Sequence, residues 1–359
     1  MKKTLISIAA LMCATCGMAQ SSVTLYGVVD ANYQRASQGG VSASRLVGSG
    51  SNSAARLGVR GSEDLGSGLR ASFVLEAGLN VDSGAGAATN TNNQASGAGA
   101  AAGLTFDRRS TVSLSSASLG ELRLGRDYLP TFWNFNQFDP FTTVGSGNSR
   151  NVSQNANFTN SARTSTPIRA SNSIGYFLPS GLGGVYGQAM YALGENASNA
   201  ANSDDGKVTS LRLGYAAGPL NVAVAAARTQ LVAGNVTVTN LGGSYNFGVA
   251  KALVQLFTDK SGAAGTARTR GFLLGATIPV GSGYVPVSYT SNKEQSGAGR
   301  SAKQLAVGYV HNLSKRTAMY ATYSRINNAN GAAVNGNGGV PGVANQHWTG
   351  TDVGIRHTF

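Results

Sequence analysis

Past residue 16 the chain has no cysteine, because Cys13 and Cys16 are its only two, and its histidines are three: His311, His347 and His357. Disulfide and thiol chemistry are thereby excluded from nearly the whole chain. None of the histidines stands in a Ser/His/Asp or paired-carboxylate context, so the sequence carries no enzyme signature, and no His/Cys cluster has metal-ligand spacing. Neither a cofactor nor a metal is expected. Long apolar runs are missing as well. After the first 19 residues no stretch approaches the ~18 consecutive apolar residues that a membrane helix needs. Proline is scarce, at 8 residues, and no Pro-rich linker or shift in composition divides the chain. Acids are few, with 15 Asp and Glu against 28 Lys and Arg.

What is present begins with a leader. Residues 1–19 read MKKTLISIAALMCATCGMA, where Lys2 and Lys3 precede an apolar core too short to span a bilayer. Gly17 and Ala19 supply the small residues of a cleavage site. The expectation is a cleaved signal over 1–19 and an exported chain over 20–359, with both cysteines leaving in the signal. Removing Lys2 and Lys3 from the 28 cations leaves 26 against 15 acids, a net charge of +11, and 20 of the 26 are arginine. Nucleic-acid binders gather such charge on one element. Here the arginines are spread singly along alternating runs, which points away from nucleic acid and toward an anion pathway.

Those runs are clearest in ARLGVRGSEDLGSGLRASFVLE, residues 55–76. Leu57 and Val59 alternate with Arg56, Gly58 and Arg60; after a glycine-rich reversal, Leu69, Ala71, Phe73 and Leu75 alternate with Arg70 and Ser72. A soluble sandwich would bury the apolar face against a second sheet. A membrane barrel turns that face to lipid and the charged face to an aqueous lumen. Sixteen strand-like runs can be counted, from 22–34, 53–63 and 68–81 to 302–312, 316–327 and 346–359. Short connections such as 64–67, 116–119 and 280–283 alternate with long ones such as 35–52, 80–103 and 130–169. Short turns on one rim and long loops on the other are a barrel's signature, and an even count puts both termini on the short-turn side. In the last run Thr351, Val353, Ile355, His357 and Phe359 share one face, and ending on an aromatic suits a membrane interface. The fold expected is all-β, a 16-stranded antiparallel transmembrane β-barrel.

QSSVTLYGVVDANY at 20–33, the hairpin at 55–76, FDRRSTVSLSSASLGELRLGRDY at 106–128 and the terminal VGIRHTF resemble the general trimeric porins of β-proteobacterial outer membranes. The resemblance runs through the chain from residue 20 onward, in order. It implies a homotrimer among outer-membrane lipid and lipopolysaccharide, each subunit a water-filled pore for passive diffusion of small hydrophilic solutes and ions. It also implies that Phe359 belongs to the signal read by the barrel-insertion machinery. The third extracellular loop of such proteins folds inward as a constriction, and it corresponds here to 130–169. That segment keeps Asp139-Pro140-Phe141 but has WNFNQF at 133–138 in place of the P-E-F-G-G of several relatives.

By alternation Arg56, Arg60, Arg70, Arg109 and Arg123 face the lumen, whereas Arg108 and Arg126 fall on the other phase. The inserted segment adds one acid, Asp139, and three cations, Arg150, Arg163 and Arg169. An arginine wall opposite a loop of net positive charge concentrates anions in a narrow passage. The plainer role for some of these arginines is to pair with Glu76, Glu121 or Asp127 as wall struts. A substrate-specific channel, the competing reading, would want an aromatic stripe along the lumen, and Tyr26, Phe132, Trp133 and Phe135 are too few to make one.

Overall fold

The computed structural model describes residues 22–47, 50–99, 103–153, 168–262, 268–336 and 338–359. The leader at 1–19 and Arg163 lie outside the described residues. The alternating runs join one closed antiparallel sheet of eighteen strands. Strand β1 (Ser22–Gln38) pairs along one edge with β18 (Trp348–Thr358) and along the other with β3 (Arg56–Gly66), which closes the barrel. Two strands are accessories, β2 (Val41–Val47) and β5 (Ala85–Gly86), so eighteen less two leaves a wall of sixteen. At the seam the Gly27 N–H donates to the Phe359 carbonyl and the Phe359 N–H to the Gly27 carbonyl, both at 3.1 Å.

The period of two is visible in burial. On β17 (Thr317–Ala329) Met319 and Tyr323 are exposed, while Tyr320, Ser324 and Ile326 on the alternate phase are buried. Leu211, Leu256, Leu274 and Leu305 on the outer face are each more than half exposed. Bulk water would penalise such a band at roughly 25 cal/mol per Å² of apolar surface; hydrocarbon does not. Among the described residues no helix is long and apolar enough to cross a membrane. Strands do the crossing, because a closed sheet satisfies every backbone N–H and C=O internally.

Strand boundaries shift by a few residues from the sequence reading, and at the first strand the shift has a structural consequence. The first run does not stop at 34. Gln34 and Gln38 keep facing inward and buried, so β1 continues to Gln38, turns at Gly39 and Gly40 (φ 58° and 82°) and returns as β2. Residues 50–55 then dip into the lumen before β3 begins. The Asp30 carboxylate draws them in, accepting the Asn52 and Ser53 N–H groups at 3.1 and 2.6 Å. Opposite them, the Ser51 N–H donates to the Tyr320 hydroxyl at 3.1 Å and Arg356 Nη1 to Asn52 Oδ1 at 2.7 Å.

The segment that follows β7 (Gly120–Tyr128) folds inward, as the resemblance implies. It starts as a helix, Pro130–Gln137, with proline at its first turn, where a missing N–H costs nothing. Asn134 Nδ2 donates to Asn240 Oδ1 at 2.8 Å, and Gln255 Nε2 to the Phe135 carbonyl at 3.0 Å. Farther along, the Ser146 N–H donates to Asp352 Oδ2 at 2.7 Å and Gln304 Nε2 to the Ser146 carbonyl at 2.9 Å. The segment thus spans the lumen, tied to β12 (Val236–Asn246) and β13 (Lys251–Ser261) on one side and to β16 (Ser301–Asn312) and β18 on the other.

Two wall glycines make room for it. A Cβ at Gly242 would collide with the Phe138 ring, and one at Gly275 would lie 2.5 Å from Pro140 Cγ. Gly242→Val should therefore expel the Phe138 end of the segment and raise single-channel conductance in planar bilayers. An unchanged conductance would show that the segment is not keyed to that glycine.

Candidate functional site

Where the segment crosses, it leaves a passage of about 620 Å³ against the opposite wall. Three pieces of chain form its rim. The wall supplies Arg56, Glu76, Arg108, Arg109 and Arg169, the inward turn brings Asn52 and Ser53, and the inserted segment presents Trp133, Asn136, Thr142 and Arg150. Among the described residues Arg356 completes a set of six lining arginines, 56, 108, 109, 150, 169 and 356, against one lining carboxylate, Glu76. Six less one is a formal charge of +5.

That carboxylate is fully engaged. Glu76 accepts from Arg108 Nε at 2.7 Å and from the Tyr26 hydroxyl at 3.1 Å, and lies 3.5 Å from Arg56 Nε. The next acids sit behind the arginines, outside the lining. Asp127, 2% exposed, holds Arg123 at 2.6 Å and Arg109 at 3.6 Å. Asp107 lies 3.8 Å from Arg169. Aromatic rings back the same cations, with Arg169 over Tyr128 at 4.5 Å from the ring centroid and Arg150 over Phe132 at 5.4 Å. The carboxylates are half hidden in the wall and the guanidinium groups project from it, so the field in the passage is positive. Among the described residues no group of His, Cys, Asp and Glu is arranged to hold a metal ion.

The sequence profile of the Gram-negative porins matches residues 7–331. Outer membrane porin protein 32 of Delftia acidovorans is 36% identical over the full length of both chains. The chain belongs to the Gram-negative porin family. An outer membrane porin of Bordetella pertussis is 29% identical, again over both whole chains. Among solved structures, an anion-selective porin from Comamonas acidovorans shares 36% identity with a TM-score of 0.81, covering 95% of this chain and 100% of that one. OmpT of Vibrio cholerae, solved in a trimer form, matches at 0.66 with 13% identity over 94% of this chain and 99% of that one, which speaks for the fold alone. This porin is thus an outer-membrane channel protein whose family and relatives are channels, not enzymes.

The residues expected to line the pore divide by height in the barrel. Arg56, Arg109 and Arg150 lie in the passage. Arg60 shares Arg56's phase but sits four residue pairs nearer the short-turn rim, exposed, its guanidinium 5.2 Å from the Tyr26 ring centroid. Arg70 lies lower still, in a cleft with Asp64 and Glu121 beside the short turns. Arg123 is a strut: it pairs with Glu121 at 2.8 Å and with Asp127, and lies over the Phe177 ring at 3.9 Å.

Asp139 departs from the expectation of a pore-facing acid. It is 2% exposed and turned into its own segment, where it accepts the Phe141 N–H at 2.8 Å and the Ser149 hydroxyl at 2.6 Å. Burial raises its carboxyl above the ordinary value, while those donors pull the other way. The reason is local: Asp139-Pro140-Phe141 is a turn, and its carboxylate caps the backbone that reverses after it. Conversely, Arg108 reaches the passage although its phase predicted otherwise, because it precedes β6 (Arg109–Ser116) and is not bound by strand alternation. Arg126 is tied to the Asp107 and Asn90 carbonyls and to Ser171 Oγ beside a register shift at Gly125–Asp127. Alternation cannot reveal either position.

Proposed function

We propose that this porin passes small hydrophilic solutes and ions by diffusion with a preference for anions, and that it works as a homotrimer surrounded by outer-membrane lipid and lipopolysaccharide. The observation that carries the anion preference is the passage lined, among the described residues, by six arginines and a single, fully engaged carboxylate. The anion-selective porin from Comamonas acidovorans, at 36% identity, supports it, and the trimer form of OmpT supports the assembly. A tenfold KCl gradient across a planar bilayer tests it: the zero-current potential should carry the sign of chloride selectivity, and a potassium-selective sign would refute the reading. General diffusion is favoured over a substrate-specific pore because Arg169 and Arg150 lie over the Tyr128 and Phe132 rings, which are 7% and 9% exposed and offer no stripe to a solute.

Export follows from the leader. Cleavage before Gln20 should remove both Cys13 and Cys16, so the intact mass of the outer-membrane form should equal that of residues 20–359. Porin recovered from the outer membrane with either cysteine present would overturn this.

A further inference from the structure

Opposite charges that face each other across two antiparallel strands ordinarily pair and stabilise the sheet. Asp30 of β1 and Arg356 of β18 are directly opposed, and both are on the lumen phase. Yet they do not pair. The Arg356 guanidinium turns aside to Asn52 Oδ1, 2.7 Å from Nη1, and among the described residues no hydrogen bond or ion pair joins it to Asp30. Its Nε, on the stem side, makes no hydrogen bond among the described residues. Arg356 therefore lines the passage, whereas Asp30, 0% exposed, is withdrawn from it.

The reason is that neutral donors have taken both oxygens of Asp30. The Tyr320 hydroxyl reaches across Gly354, where a Cβ would lie 2.5 Å from its oxygen, and donates to Oδ1 at 2.5 Å. Oδ2 accepts the Asn52 and Ser53 N–H groups at 3.1 and 2.6 Å. A buried carboxylate so supplied is satisfied without its opposed cation. The turn is cut to this fit: Gly50 has φ 77°, and a Cβ there would lie 2.7 Å from Asp30 Cβ, so only glycine lets the backbone come against the acid. The same short stretch that occupies Asp30 also offers, through the Asn52 side chain, the neutral acceptor to which Arg356 is diverted.

We infer that the inward turn at 50–55 is a specificity device, which breaks a cross-strand ion pair so that Arg356 stands in the passage as a free cation. Arg356 is the group that meets the ions; Asp30, Tyr320 and Asn52 are positioning residues that act through it. The charge inventory of the lumen is the same with or without the turn, and only the placement differs. A guanidinium closed on its carboxylate presents a dipole, whose field falls off quickly, whereas one held by a neutral amide keeps the field of a unit charge. The inference deepens the anion preference proposed above and rests on its premise that lumen charge sets selectivity.

Planar bilayers under a KCl gradient read the coupling as a change in zero-current potential. Arg356→Gln should lower the chloride-to-potassium permeability ratio about threefold at low salt. Asn52→Ala keeps the backbone bonds to Asp30 and removes only the amide that holds Arg356 aside. This neutral-for-neutral change should lower the ratio about twofold, as the guanidinium falls back on its acid. In the Arg356→Gln background the same Asn52→Ala change should have no further effect, although it widens the passage just as much there. It should be silent in the Asp30→Asn background too, where the acid is gone. Should Asp30→Asn fail to fold, the comparison in the Arg356→Gln background decides alone. An unchanged potential in Asn52→Ala would overturn the inference. So would an equal shift with Arg356 already replaced, which would mean that Asn52 acts through width. The coupling is a difference between variants and is read whatever sign the wild type shows. A potassium-selective wild type would count against the anion reading, and the coupling would still be decided by the variants.

Discussion

Serine in place of both Arg56 and Arg150 should lower the chloride preference of the channel by roughly an order of magnitude, with conductance the same or greater. The two arginines face the passage from different sides, one on the wall and one on the inserted segment, and their removal takes the lining from +5 to +3. A unit charge about 7 Å from a passing ion contributes ~0.6 kcal/mol at the permittivity of water, close to thermal energy. Each lost arginine therefore changes local anion and cation concentrations by about a factor of three in opposite directions, before screening. At 0.1 M salt the Debye length is about 10 Å, so the effect should shrink as the gradient is run at higher salt. Glu76 is not orphaned by the change, because Arg108 still holds it at 2.7 Å. Arg60→Ser with Arg70→Ser is the informative comparison: it removes the same charge nearer the short-turn rim and should move the zero-current potential much less. If the Arg56 and Arg150 double variant loses heat resistance and keeps its selectivity, these arginines are braces and the electrostatic account fails.

Deleting Phe359 should nearly abolish heat-resistant oligomer on unboiled gels of outer membranes. The residue does two separable things. Its backbone makes both 3.1 Å hydrogen bonds to Gly27 that finish the seam, and its ring, 46% exposed, covers Gly27 on the outer face. Phe359→Ala keeps the backbone bonds and discards the ring. A loss as deep in Phe359→Ala as in the deletion would assign the effect to recognition of the aromatic terminus, whereas a mild loss would assign it to seam closure. Wild-type levels of heat-resistant oligomer from the deletion would refute both.

The barrel was legible because alternation is a local property. Leu57 against Arg56, or Val353 against Asp352, declares its face without reference to anything distant. The lumen's occupants were not legible, since an inward turn looks like any polar loop until its partner is known. Nothing in residues 50–55 announces that the Asp30 carboxylate and the Tyr320 hydroxyl wait for them. The constriction was half legible. Arg56 and Arg60 have the same phase on the same strand, and only their height relative to the inserted segment separates a passage residue from a vestibule residue. Asp139 was misread because a carboxylate beside Pro140 serves the turn first, and charge counting along a loop cannot tell a capping acid from one that faces water.

The hydrogen bonds of the inserted segment also impose an order in time. Most of its wall partners come later in the chain, from Ala223, 89 residues after Asn134, to Asp352, 206 residues after Ser146, although Gln34 of the first strand donates to the Ser146 hydroxyl at 3.1 Å. A chain entering the membrane from its first strands cannot complete the narrowing of its lumen, because the carboxylate that accepts the Ser146 N–H belongs to the last strand. Seam closure and pore narrowing thus converge on the final dozen residues. A truncated product would lack the Asp352 anchor of Ser146 and should be wider and less selective, so an intact C-terminal strand bears on the permeability barrier as well as on the yield of folded protein.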